Sequence, residues 1–184
     1  MPKIPSCLKT ERLILRQWQP EDLEPYAQLN ADPRVREFFP SVLTREESKS
    51  QIELLSKELE ERGWGLWAVA VQGRPECIGF IGIQPVPFQT AFTPAVEVGW
   101  RLTFEQWGKG YATEGARAAL QFGFEQLQLP FIVAFTPVNH LRSRNVMKRL
   151  GMYHDSQYDF DHPNVPDGNP LKRHVLYRID KPNR

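Results

Sequence analysis

Trp107, Gly108, Lys109, Gly110, Tyr111, Ala112 and Thr113 place two glycines around a lysine at the mouth of a helical pattern. Glycine at that position costs backbone entropy, so the chain must gain something by it. The first amides of a helix have no partner inside it and lie at the positive end of its dipole. Without side chains in the way, an anionic group can reach them. The chemistry that suits these residues is the binding of a phosphate or pyrophosphate; a plain chain reversal uses the same residues.

Two familiar phosphate loops fail here. A Walker A loop needs Gly, four residues, then Gly-Lys-Ser/Thr, but Lys109 is followed by Gly110 and no glycine stands at the earlier position. A dinucleotide fingerprint needs a third glycine where Thr113 stands, inside an opening βαβ unit. ATP and NAD are therefore poorly supported.

The elements that must hold this loop follow from periodicity. Residues 11–18 alternate apolar and polar, as a first strand does. Pro20 suits the first turn of a helix, and Pro25 and Pro33 keep that helix short. Residues 44–63 form a stronger helix, with a capping-box pair in Thr44 and Glu47 and a stop at Gly63. Three strand-like runs follow, over 64–71, 76–86 and 95–102, separated by Gly and Pro turns. A helix over 111–127 comes next, then a strand over 131–136, a short helix over 143–151, and two strand candidates, 152–160 and 173–180. This order describes one mixed α/β domain over residues 1–184.

Composition narrows the class. The chain has 184 residues, 41% of them hydrophobic and 24% charged, enough for a sizeable core. Its 23 basic and 22 acidic residues nearly cancel, which gives no argument for nucleic acid or a membrane surface as partner. Cys7 and Cys77 have no metal-site or disulfide spacing, so no metal is expected. No apolar run reaches signal-peptide or membrane-spanning length, and a cytoplasmic protein is expected.

Together, the strand over 95–102, the turn TFEQWGKGYAT and its helix resemble the acetyl-CoA loop of the GNAT superfamily of N-acetyltransferases, nearest to its RimJ/RimL-like branch. The family's loop reads Gln/Arg-x-x-Gly-x-Gly/Ala. Gly110 and Ala112 match, and Trp107 stands where Gln or Arg is usual. KTERLILRQWQPEDLEPY resembles the family's opening strand and helix, and RSRNVMKRLGM the helix after its fifth strand. The resemblance covers about residues 9 to 155.

It implies an open, mostly antiparallel sheet of about seven strands flanked by helices, with a splayed parallel pair, 95–102 and 131–136. It also implies acetyl-CoA as cosubstrate and direct attack by a primary amine, with a protein N-terminal α-amine as one acceptor, in a ternary complex. A small amine such as an antibiotic or polyamine is the alternative acceptor. A non-catalytic acyl-CoA sensor is the alternative class, and a homodimer is possible.

By the same resemblance, Trp100 to Leu102 offer a backbone amide to the thioester oxygen, and Glu97 is the general base or an ordinary sheet acid. His154, Asp161 and His162 are weaker candidates for that base. Ser143 is a proton donor to the leaving sulfur or a helix N-cap, because Met147 replaces the tyrosine many members use there. Asn139, with His140 beside it, touches pantetheine. Lys109, Arg142 and Arg144 face CoA phosphates or solvent. Phe38, Phe39, Trp64, Trp67, Asp161 and His162 wall the acceptor or belong to the core.

Overall fold

The computed structural model describes residues 7–182. Part of the N-terminal stretch read above for a leader lies outside them. The described chain forms nine strands and four α-helices. They are β1 (Leu8–Lys9), β2 (Leu13–Arg16), α1 (Leu23–Ala31), α2 (Arg45–Arg62), β3 (Leu66–Val71), β4 (Cys77–Pro85), β5 (Val96–Leu102), α3 (Tyr111–Glu125), β6 (Phe131–Pro137), α4 (Leu141–Arg149), β7 (Tyr153–His154), β8 (Phe160–Asp161) and β9 (Arg173–Asp180).

One sheet runs β1-β2-β3-β4-β5-β6-β9-β7, with β8 also on β9. Every pairing is antiparallel except β5 with β6. The count exceeds seven because β1, β7 and β8 are two-residue edge pieces. The expected strand over 152–160 is broken by a 3-10 turn at Ser156–Tyr158, leaving β7 and β8 on separate stretches of β9.

Local signals explain the helices. Thr44 and Glu47 cap α2 reciprocally, and Gly63 closes it in the left-handed conformation. Pro25 lies in the first turn of α1, where its missing N–H costs nothing, and the helix stops before Pro33. α4 begins two residues before the sequence pattern suggests. His140 is its N-cap, which places Ser143 inside the first turn.

The helices cover opposite faces of the sheet. Alternation sends Ile81 and Ile83 to one side and Phe80 to the other. α3 lies on the isoleucine side, very close to the sheet. A Cβ on Gly115 would meet Ile81 at 2.5 Å, and one on Gly123 would meet Ile132 at 2.7 Å. α1 lies on the other side, its Tyr26 ring 6.4 Å from Phe80. α4 joins α3, through the Arg117 guanidinium that donates to the Arg149 carbonyl. Fully buried Leu13, Leu15, Trp67, Ile81, Ile83 and Ile132 form the middle of one core. Among the described residues no helix is long and apolar enough to cross a membrane, and no acid, His and Cys cluster could hold a metal ion.

Candidate active site

Gly108 and Gly110 adopt φ of 73° and 80°, a backbone region that disfavours other residues. That pair of left-handed residues turns the chain from the end of β5 into α3. No side chain caps the helix, and no backbone carbonyl accepts from the amides of residues 108–113. A Cβ at Gly108 would meet nothing within 4 Å. Six N–H groups, those of residues 108–113, therefore have no acceptor among the described residues, at the positive end of a fifteen-residue helix. Tyr111, Ala112 and Thr113 form its first turn.

The loop is braced from the opening strand, by residues to which the sequence reading gave no role. Glu114 accepts from the Thr10 hydroxyl at 2.6 Å and from the Arg12 amide at 2.8 Å, and pairs with the Arg12 guanidinium. Arg12 also donates to the Lys109 carbonyl and lies over the Tyr111 ring. The Lys109 ammonium donates to Gln106. Trp107 turns its indole N–H back onto the Leu102 carbonyl at 3.0 Å and stacks beside Phe104.

β5 and β6 are seven residues each, yet only Glu97 and Val133 register as a pair. Beyond that point the strands diverge, and the β5 edge from Val98 to Leu102 has no partner on the β6 side. Trp100 and Leu102 point with Val98 toward the α3 face. Glu97, Gly99 and Arg101 point to the α1 face. A Cβ on Gly99 would meet nothing within 4 Å, so the space over it is open.

Glu97 is deeply set yet keeps a strip of accessible surface. Desolvation pushes its carboxyl up to about 7, and a hydrogen bond from the Gln84 amide at 2.7 Å opposes that rise. No cation offsets the burial, so near neutral pH the group exchanges its proton readily.

Ser143 is buried on α4, and so is Met147. Asn139 is exposed just before α4. His140 stacks on Phe38 at 4.1 Å and shares a 2.9 Å hydrogen bond with Thr136. Burial pushes its imidazole down to about 4, so it is neutral.

Arg142 pairs with Glu37 and lies 4.7 Å over the Trp107 ring. A groove of about 420 Å³ runs between Arg34, Glu37, Phe104, Trp107 and Arg142. Arg144 donates to the Val138 carbonyl at 2.8 Å and to the Tyr177 hydroxyl, holding the turn between β6 and α4.

On the Glu97 side the structure gathers rings from four segments. Phe88 and Phe92 precede β5, Phe135 lies on β6, Phe160 on β8, and His162 and His174 flank them. Phe88 lies 5.6 Å from Phe135 and 4.7 Å from His162, and Phe92 lies 5.0 Å from Phe160. These four phenylalanines are half-buried and stand apart from the main core. Of them the sequence reading named none.

Trp67, read from the sequence as acceptor wall or core, is 1% exposed and packs edge-on against Phe122 of α3. It is core, on the opposite face. Trp64 packs at the rim of the core. His154 binds Asp159 and stacks on Tyr177, on the α4 side, and Asp161 lies exposed beside Arg173.

The family model described as an acetyltransferase (GNAT) domain matches residues 12–153. The chain belongs to the GNAT acetyltransferase family. An FsC-acetyl coenzyme A-N(2)-transacetylase of Aspergillus fumigatus is 29% identical over 98% of this chain and 82% of its own. A solved GNAT-family acetyltransferase from Bacillus anthracis superposes with a TM-score of 0.78, at 25% identity over 95% of this chain and 98% of that one. An acetyltransferase from Agrobacterium tumefaciens gives 0.76, at 29% identity over 96% and 95%. The enzyme class read from the GNAT loop, an N-acetyltransferase, is that of these relatives, and the sheet with its parallel pair is the GNAT fold.

Proposed function

We propose that the chain transfers an acetyl group from acetyl-CoA to a primary amine by direct attack across the β5–β6 divergence. The carrying observation is the pairing of an unplugged amide cluster at residues 108–113 with a strand edge freed beyond Glu97. Acetyl-CoA supplies the activated thioester. Gly108 to Thr113 hold its pyrophosphate through main-chain N–H groups, with Lys109 adding charge. The free β5 edge between Val98 and Leu102 receives the pantetheine as an added strand would. An amide of that edge, from Trp100 to Leu102, donates to the thioester oxygen as charge develops there.

Glu97 takes the amine's proton, directly or through one water. A carboxyl near 7 lies about one unit below an α-amine near 8 and about three below a lysine amine near 10.4. That difference favours α-amine-type acceptors, in keeping with the RimJ/RimL-like resemblance. Ser143, buried in the first turn of α4, donates to the sulfur, and Asn139 and Arg142 border the cofactor's path. Arg144 contributes by fixing the β6–α4 turn.

Thiol release from acetyl-CoA across a panel of N-terminal peptides and small amines tests this reading, alongside calorimetric titration with CoA. Amine-dependent release with micromolar CoA binding is expected. Tight CoA binding with no release on any amine would make the protein a sensor rather than an enzyme.

A further inference from the structure

Two guanidinium groups on the Glu97 side of the sheet have no carboxylate. Arg101 follows Glu97 and Gly99 on the same face of β5. It donates to the Asn30 side-chain oxygen at 3.0 Å and to the Gln51 oxygen at 3.5 Å. Its Cζ lies 4.4 Å from the Phe39 ring and 5.1 Å from Phe80. Its Nε is sealed from solvent with no hydrogen-bond partner. Arg36 is 8% exposed, stands 4.2 Å from the same Phe39 ring, and spends its Nε on the Ser41 carbonyl at 2.8 Å.

Every contact named for these two side chains is neutral. Among the described residues neither has an acid oxygen within 4 Å. Glu47, whose charge reaches Arg36 only at a distance, is engaged in the α2 capping box. Tyr26 donates its hydroxyl to Gln51, and burial raises its pKa, so it is no counter-ion. Burial and the neighbouring Arg101 charge push Arg36 down to about 10. Buried charges are ordinarily paired, because each costs several kcal/mol when it is not. Two together, flanking one ring with no acid oxygen beside them, are a cation pair whose chemistry suits an anion.

The position of the pair says what carries that anion. On one face of β5 the order is Glu97, open space over Gly99, then Arg101. If the proposed function holds, the amine reacts above Gly99, beside Glu97. The anion then belongs to the same molecule, a few bonds from the amine. Phe39, Asn30 and Gln51 close the far end, so nothing bulky continues past the anion.

We infer that the acceptor is a small primary amine bearing a terminal carboxylate, of the amino-acid type, with Arg101 and Arg36 holding the carboxylate.

Matched pairs test it on the wild-type protein: phenylalanine against phenethylamine, ornithine against putrescine, arginine against agmatine. Acetylation is followed by thiol release. For at least one pair, kcat/KM for the carboxylated member should exceed that of its decarboxylated twin by roughly a hundredfold, the value of charge-assisted hydrogen bonds. Arg36→Gln and Arg101→Gln should each collapse that ratio toward one while CoA affinity stays within about twofold. If Arg101→Gln does not fold, the wild-type ratios and Arg36→Gln decide.

Parity within every pair, turnover of polyamines or peptide N-termini alone, or a ratio that survives both substitutions overturns the inference. So does a panel in which no carboxylated amine reacts. In each case release on other amines leaves the transferase reading intact, whereas loss of CoA binding in the wild-type protein sinks that reading itself.

Discussion

In the proposed reading, the loop at residues 108–113 and the recess over Gly99 bind by different means. The loop works through its main chain, and its side chains matter mainly by their absence. Across the sheet, Glu97, Arg101 and Arg36 would act through their side-chain heads, brought together from β5 and the segment between α1 and α2. A backbone site tolerates sequence change wherever φ is preserved, whereas a side-chain site is redrawn by single substitutions.

Substitutions should separate the two regions cleanly. Glu97→Gln should lower kcat/KM for the acceptor by roughly 10²–10³-fold while CoA affinity in calorimetry changes little. In the wild type the rate should climb as pH passes about 7, because Glu97 accepts a proton only when ionised; the variant should lose that limb. Equal loss of CoA affinity would erase the division between the regions.

Gly110→Asp should do the reverse. It forces a side chain into φ 80° and sets a carboxylate among the phosphate-facing amides, weakening CoA binding by roughly a hundredfold. Unchanged affinity would remove the loop from the site. Ser143→Ala should cut kcat by about tenfold with little change in CoA affinity. Arg12→Ala, which loosens the brace on Glu114, should weaken CoA binding by only about threefold.

Stability gives a separate reading of Glu97. Its folded pKa lies above the unfolded value near 4.3, so the fold favours the neutral carboxyl. The penalty is absent at pH 4, grows as pH rises toward about 7, and is constant above. Glu97→Gln should therefore stabilise the protein at pH 8, by about 1–3 kcal/mol and a few degrees in Tm, and not at pH 4.

The cofactor side was legible because its signals are local. Glycines at a helix mouth, a capping box and an alternating strand each declare themselves within a dozen residues. The aromatic group of Phe88, Phe92, Phe135 and Phe160 spans more than seventy positions, and no periodicity joins its members. Trp67 stayed open between core and acceptor wall for a related reason: a tryptophan on a strand looks alike whichever face it takes, and only the register with β4 turns it toward Phe122.

Arg101 did leave a trace. It shares the phase of Glu97 in a strand whose other phase holds Val98, Trp100 and Leu102. Charged residues recurring in one phase of an interior strand read as a solvated face until the helices covering that face are known. α1 and the segment after it supply that cover through Asn30 and Phe39, which no local pattern assigns to β5.

The one registered pair between β5 and β6, Glu97 with Val133, makes Glu97 the fulcrum of the wedge. Widening or narrowing at the far ends swings Leu102 and Pro137 through the largest arc and displaces the pivot least. In the proposed reading, arms of different girth would be met by the spacing of the strand ends while Glu97 keeps its place beside Val133.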